Sequence, residues 1–469
     1  MIKNILGEEN FRQALQAYLD ERKFDNAKPE HLFAALQKFA PSDVTPEFLW
    51  EAIADWTQKP GFPVLTLEAW SPDTVFVSQK RFNLSDINSY PLRLRELYYV
   101  QYQIHHQSGA SSARLWSTPD TSINYEVAVE STEQWLVVNS TGYFRVNYWA
   151  ANWQRLGAAL RAAPAVVAPA ERAQLVDDAL NLARAALLPY ATALDFARYL
   201  ARETDYVPWT AAFSGLDFLG RLLANEDEEG LFPAFLLELL DGVYAQLGFA
   251  DEGSHLEKLL RAQVLARACG AAHASCLQDA RDRLDAFLRR GQEIEPDLRS
   301  VVYCYGVKAE GTDVWEKLLS RLQLTENPGE RSLLISALGC SNDIDILQLY
   351  LEYSLKPGVV RSQDAAAVFT AVYSNPRGVD PALDFLVNRF AEIQIAYANM
   401  RDINNIVRGI AMHLTNEIQQ AKMIRFLNTQ AHVLGESGKI AENTVRANVE
   451  WLSNRKEEVL AALRHTDHL

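Results

Sequence analysis

Cysteine and histidine, the nitrogen and sulfur ligands of zinc, are sparse: four Cys and nine His in 469 residues. No Cys-x-x-Cys pair and no His-Glu-x-x-His run occurs among them, so neither a zinc ribbon nor a helix-borne zinc pair is written locally into the chain. There is no Gly-x-Ser-x-Gly nucleophile turn and no glycine-rich phosphate loop. Basic residues are outnumbered, 45 Lys and Arg against 60 Asp and Glu, for a net charge of −15. That balance excludes nucleic acid as the main partner, because phosphate neutralisation needs clustered cations. No apolar run reaches the roughly 18 residues a membrane-spanning helix needs. The first residues, Met1-Ile-Lys-Asn-Ile-Leu-Gly, lack a secretory apolar core, and the last, Ala462-Leu-Arg-His-Thr-Asp-His-Leu, lack a lipid-anchor tail. On these absences alone the chain reads as cytosolic.

What is there is enough for a packed core. Hydrophobic residues make up 48% and charged residues 22%, which excludes a disordered chain. At about 150 residues per domain the length predicts roughly two to four domains. The first sixty residues read as helices. Phe11, Leu15, Tyr18 and Leu19 recur at helical spacing, and Thr45-Pro46 starts a helix that turns Phe48, Leu49, Ala52, Ile53 and Trp56 inward. Lys59-Pro-Gly-Phe-Pro63 stops it. β-branched and aromatic runs occupy 64–67, 74–78, 97–104, 123–128 and 135–138, predicting a small antiparallel sandwich. After Asn152 the pattern is helical almost to the end. Residues 172–188 put Leu175, Ala179, Leu182, Ala183 and Ala186 on one stripe, with Asp177, Asp178, Asn181 and Arg184 on the polar side. Similar stripes recur at 209–223, 231–247, 255–268, 297–307, 332–338 and 344–353. Short connections between them predict a solenoid of helical hairpins, although the letters show no strict repeat.

The titratable clusters read as structural. His105 and His106 are consecutive in a strand, so they point to opposite faces, and the reading is surface polar residues on a hairpin. His465 and His468 sit on a final, solvated turn. Glu226-Asp-Glu-Glu229 reads as a solvated loop. Asp177 and Asp178 diverge by about 100° on a helix, the wrong geometry for a shared proton. Cys269, Cys276, Cys304 and Cys340 permit three pairings, and four buried reduced thiols are the alternative.

One segment carries a resemblance: Asn139-Ser-Thr-Gly-Tyr-Phe-Arg-Val-Asn-Tyr-Trp-Ala-Ala-Asn-Trp153. It is similar to the strand-to-helix junction of the aminopeptidase N family of zinc metallo-aminopeptidases, with Trp149 where that family usually has Asp. Other segments resemble the family in the same order: Trp56 to Val64, Ser78 to Phe82, Arg172 to Ala179, Glu203 to Trp209, Leu298 to Cys304 and Ala337 to Asn342. The resemblance covers essentially the whole chain and is closest in kind to secreted or membrane-anchored, insect gut-type members.

The resemblance implies a mainly α fold with a small β-sandwich and a C-terminal domain of antiparallel, HEAT/armadillo-like helical hairpins. Residues 1–61 would be the terminal helices of a thermolysin-like catalytic domain, 62–150 the sandwich and 151–469 the helical solenoid. The zinc motif, the exopeptidase motif and the catalytic tyrosine of the family would lie upstream of Met1. No catalytic residue and no metal ligand is therefore carried onto this chain, which needs no cofactor of its own, whereas the intact protein would hold zinc. Secreted and membrane-anchored members pair the equivalents of Cys269–Cys276 and Cys304–Cys340, which implies an oxidising compartment. The location implied is the extracellular face of the plasma membrane, or secretion. The sequons at Asn83 and Asn139 are compatible with glycosylation there.

The function implied is the C-terminal portion of a zinc-dependent aminopeptidase that removes N-terminal residues from peptides, this portion capping the cleft and inactive alone. A non-catalytic binding or receptor module on the same domains is the alternative, with a toxin or another protein as ligand. A cytosolic helical scaffold is a third. Phe11, Leu15, Trp50, Ile53 and Trp56 would pack against residues outside this chain, and their exposure predicts a homodimer or poor solubility.

Overall fold

The computed structural model describes residues 1–42, 44–84, 97–112, 115–117, 124–139, 142–356, 358–397 and 399–464. The fold is mainly α with a small β-sandwich, and the chain divides into two compact units, Met1–Tyr199 and Leu200–Leu469.

The first unit opens with α1 (Ile2–Leu6), α2 (Glu8–Arg22), α3 (Pro29–Lys38) and α4 (Pro46–Gln58). These helices bury a core of their own from Leu6, Phe33, Leu36, Leu49 and Ile53. α4 starts at Thr45, whose Oγ1 accepts the Phe48 N–H at 3.2 Å, with Pro46 next, where no N–H is needed. The expectation that Phe11, Leu15, Trp50, Ile53 and Trp56 await residues outside the chain is not met at Ile53, whereas Phe11, Leu15 and Trp56 are half-buried and Trp50 is exposed. Ile53 is 3% exposed in the helices' own core, and Trp56 donates its indole N–H to the Tyr99 carbonyl at 2.9 Å. Leu19 and Phe24 of these helices are exposed as well.

Seven strands come next: β1 (Pro63–Ser71), β2 (Thr74–Arg81), β3 (Val100–His106), β4 (Leu115–Ser117), β5 (Asn124–Ala128), β6 (Leu136–Asn139) and β7 (Arg145–Asn147). They form two sheets, ordered β5-β2-β1-β7 and β4-β3-β6. The sequence predicts an antiparallel sandwich, but β7 runs parallel to β1, with Val64 opposite Arg145. The reason is topological: β7 arrives from the other sheet rather than by a hairpin. The strands alternate as a two-sided sheet requires, with Val75, Val77 and Gln79 buried on β2 and Val100, Tyr102 and Ile104 on β3. Gln79 is a polar tie inside this core. Its amide donates to the Tyr98 carbonyl at 3.0 Å and Ser117 Oγ at 2.7 Å, and its carbonyl accepts the Tyr98 N–H at 2.6 Å. Filled this way, a buried amide is not a liability.

The unit ends with α5 (Ala150–Ala162), α6 (Pro169–Arg184) and α7 (Tyr190–Ala197). The stripe read over 172–188 stops early. Ala186 takes a positive φ of 59°, and the Leu187 N–H returns to the Leu182 carbonyl at 2.8 Å, a left-handed helix end.

The second unit is helical throughout its described residues: α8 (Tyr206–Leu223), α9 (Leu231–Leu247), α10 (His255–Gly270), α11 (Ala274–Arg290), α12 (Arg299–Glu310), α13 (Thr312–Leu324), α14 (Pro328–Leu338), α15 (Ile344–Ser354), α16 (Ala365–Tyr373), α17 (Val379–Ala396), α18 (Met400–Ala411), α19 (Glu417–Thr429) and α20 (Ala431–Arg464). From α10 onward, alternate helices stack on one another. α10, α12, α14, α16, α18 and α20 make one layer, while α15, α17 and α19 belong to the other. That is the arrangement of helical hairpins in a solenoid. Helices of one layer come close where glycine allows it: a Cβ on Gly339, at the end of α14, would fall 2.4 Å from the Ala371 carbonyl of α16.

The last helix then returns to the first two. α20 packs on α8 and α9, with the Trp451 ring edge-on to Phe218 at 5.2 Å. Lys456 Nζ donates to Glu226 Oε2 at 2.9 Å, and Arg464 pairs with Glu229.

Candidate functional site

The segment that carries the resemblance forms a junction rather than a reaction centre. Val146 and Tyr148 turn inward and are buried, which leaves Arg145 and Asn147 on the opposite side of β7. That side faces α6. Arg145 Nη1 donates to Asp177 Oδ2 at 2.6 Å and to Asp178 Oδ1 at 2.9 Å, and the Val146 N–H donates to Asp178 Oδ2 at 2.9 Å. The guanidinium also lies over the Phe82 ring, 4.9 Å from its centroid. Burial pushes the Asp178 carboxyl up to about 7, against the pull of Arg145 and the Val146 N–H, and the Asp177 charge adds to the rise.

Asn147, Tyr148 and Asn152 of the segment are engaged in the same way. Asn152 accepts the Leu136 N–H at 3.0 Å and donates to the Leu136 carbonyl at 2.9 Å, pairing with β6 as a strand would. The Val138 N–H donates to the Tyr148 hydroxyl at 2.9 Å, and Asn147 donates to the Leu187 carbonyl at 3.0 Å. These bonds tie β6 to α5 through Asn152, β6 to the residue after β7 through Tyr148, and β7 to the turn after α6 through Asn147. Trp149 is the exception. It stands at the N-cap of α5 in extended conformation, and its side chain accepts no bond from the helix. An Asp there would supply that bond.

Asp177 and Asp178 therefore do not form the solvated face the spacing suggests; Asp178 is 2% exposed. Nor is the histidine pair a surface feature. His106 is buried, whereas His105 Nδ1 lies 2.8 Å from Glu171 Oε1 on α6. In the second unit the acidic run 226–229 is engaged as well. Asp227 accepts the Leu231 and Phe232 N–H groups at 3.0 and 2.7 Å, capping α9, while Glu226 and Glu229 receive the cations of α20.

All four cysteines are paired. Cys269 bonds Cys276 across the α10–α11 turn, and Cys304 of α12 bonds Cys340 just after α14. The first turn is tight: Ala272 takes a φ of 63°, and His273 Nδ1 accepts the Cys276 N–H at 3.3 Å. Asn83 lies just beyond β2, half-buried, but Ser85 of its sequon is outside the described residues. Asn139 ends β6; Ser140, Thr141 and the Asn139 side chain lie outside them, as do His465 and His468.

The described residues offer zinc no ligand set. Among them no group of three or more His, Cys, Asp or Glu side chains could hold a metal ion. His31, His273 and His413 use Nδ1 locally, on the Lys28 N–H, the Cys276 N–H and the Gly409 carbonyl. No helix of the described residues is long and apolar enough to cross a membrane. Sequence reasoning missed the Arg145 cluster, although Arg145 and the Asp177-Asp178 pair both stand in segments it singled out.

The chain has relatives among known proteins. A family model described as the ERAP1-like C-terminal domain matches residues 135–447. An aminopeptidase N of Plutella xylostella is 30% identical over 502 aligned positions, covering 99% of this chain and 51% of that protein. The human thyrotropin-releasing hormone-degrading ectoenzyme is 29% identical, covering 99% of this chain and 46% of its own length. A rat glutamyl aminopeptidase is 30% identical, covering 97% and 48%. The chain thus spans about half the length of the relatives it matches.

Proposed function

Because the chain belongs to the ERAP1-like C-terminal domain family, we propose that it is the C-terminal portion of a zinc-dependent aminopeptidase that removes N-terminal residues from peptides. The observation that carries this reading is the extent of the match. Proteins named as aminopeptidases align with 97–99% of this chain, and the alignment fills only about half of each. In this reading residues 1–61 are the terminal helices of the catalytic domain, 62–150 the sandwich and 151–469 a solenoid that caps the peptide cleft. The chain supplies neither a catalytic residue nor a zinc ligand. Zinc held by the other half would polarise the scissile carbonyl and activate water. The exposed Leu19, Phe24 and Trp50 of the N-terminal helices are suited to cover by that half.

Two disulfides support an oxidising location, at the extracellular face of the plasma membrane or in secretion. Asn83 and Asn139 would carry glycans there.

The test has two arms. Purified alone, the chain should hold no zinc and leave leucine and alanine chromogenic amides intact. Co-expressed with the N-terminal half of the Plutella relative, it should restore hydrolysis. Zinc-dependent activity of the chain alone, or failure of the two halves to associate, would overturn the reading.

A further inference from the structure

The second unit contains a cavity of about 700 Å³ between the loop after α15 and the last turn of α17. It faces neither disulfide nor any residue of the junction described above, and its chemistry is independent of the proposed function. Its volume is within the range of small-molecule sites.

The charges around it do not cancel. Three cationic residues line the cavity, Arg331, Lys356 and Arg361, against one carboxylate, Glu392. Arg331 is already neutralised. Its side chain is 6% exposed, its Nε and Nη2 donate to Asp364 Oδ2 at 3.2 and 3.0 Å, and its Nη1 donates to the Leu322 carbonyl at 2.8 Å. Glu392 is likewise taken by Arg389, at 2.6 Å from Nη2 to Oε2. Lys356 and Arg361 are left. Both are exposed, and neither side chain meets a carboxylate or carbonyl among the described residues. Lys356 lies only over the Tyr353 ring, 5.4 Å from its centroid.

A structural role would have them cap the carbonyls at the ends of α15 and α17, but neither makes such a bond. In a chain of net charge −15 the pair creates a local reversal of sign, where anions collect. Gln323 and Ser354 are the other polar residues of the lining, and the rest is apolar or glycine. Ile395 stands 86% exposed on the α17 side, opposite Leu355, Val359 and Val360 of the loop.

We infer that this cavity binds an anionic amphiphile: one acidic head group held by Lys356 and Arg361, on an apolar body that covers Ile395 and Val359. A free carboxylate amphiphile and the head group of a membrane lipid share this chemistry; an open cleft flanked by the loop after α15 on one side and the last turn of α17 on the other can hold the apolar body as well as the head group, and favours the free molecule.

Calorimetry on the full chain tests it, with decanoate and decanol as probes below their aggregation limits and with phosphatidylglycerol vesicles in a separate arm. Decanoate should bind once per chain and at least tenfold more tightly than decanol. Lys356→Glu together with Arg361→Glu should weaken decanoate at least tenfold. Both positions are exposed, and Lys356→Gln with Arg361→Gln serves if the reversal disturbs folding. Absence of decanoate binding, equal binding of decanoate and decanol, or unchanged binding by the variants would each overturn the inference. Binding to vesicles alone would overturn it too, since it would place the head group on a surface and not in the cavity.

Discussion

In residues 1–199, side chains reach across elements that lie far apart in sequence. Arg145 finds Asp178, Asn152 finds Leu136, and Gln79 finds Tyr98 and Ser117. In residues 200–469, neighbours along the chain are mostly neighbours in space, hairpin on hairpin, and two disulfides add covalent ties to the polar ones. A sandwich joined to helices has no repeating contact to rely on, so single polar residues fix its register. A solenoid repeats one contact, and its weak direction is along the stack, where a bridge between successive helices helps.

The largest expected effect tests the covalent half of that contrast. Cys304→Ser with Cys340→Ser opens a loop of 36 residues, and loop-closure entropy gives about 4 kcal/mol of lost stability. Cys269→Ser with Cys276→Ser, closing only 7, should cost about 2 kcal/mol. Urea unfolding monitored by far-ultraviolet dichroism orders the two; equal losses would deny the bridges different weights.

Arg145→Ala tests the other half. Removing one partner of a buried ion pair leaves Asp178 uncompensated, at an expected cost of about 3 kcal/mol. The pH dependence sharpens it. The folded-state value for Asp178, near 7, lies above the ordinary carboxylate value of about 3.9. The folded state therefore holds a proton the unfolded chain releases, and this group's contribution to stability falls as pH rises from about 4 to about 7. Asp178→Asn should flatten that part of the stability profile relative to the native chain; a profile unchanged over those pH values would show that the group does not titrate there.

Smaller effects are expected at a cap and at a surface pair. Trp149→Asp should raise the thermal midpoint, by about 1 kcal/mol of stability, by giving α5 the N-cap bond it lacks. Lys456→Gln should cost under about 1 kcal/mol, less in high salt, because the pair is partly solvated. A loss as large as that of Arg145→Ala would erase the distinction between the units.

How much of this was legible depends on the range of the interaction. The stripe over 231–247 gives α9 with the same ends, and Thr45-Pro46 gives the start of α4, since both are set by residues within a turn of each other. β7 is three residues long and is held by a parallel partner about eighty residues away, so no local alternation marks it. The polar side of α6 looked solvated because helical periodicity separates polar from apolar without saying what faces either. His106 misleads for the same reason. The cavity beside α17 exists only because a loop crosses two helix ends, and no motif signals it. Cysteine spacing left three pairings open; the packing of α12 on α14 is what brings Cys304 to Cys340.

The return of α20 to α8 and α9 turns a stack into a hoop. An open array must end in a repeat whose outer face is polar; a hoop needs none, because its two ends shelter each other. Shortening such a protein from its tail is then not a loss of one turn of scaffold. Stripping away α20 would also bare the ring of Phe218 and leave Glu226 and Glu229 without cations, damaging the unit at its opposite end in the sequence.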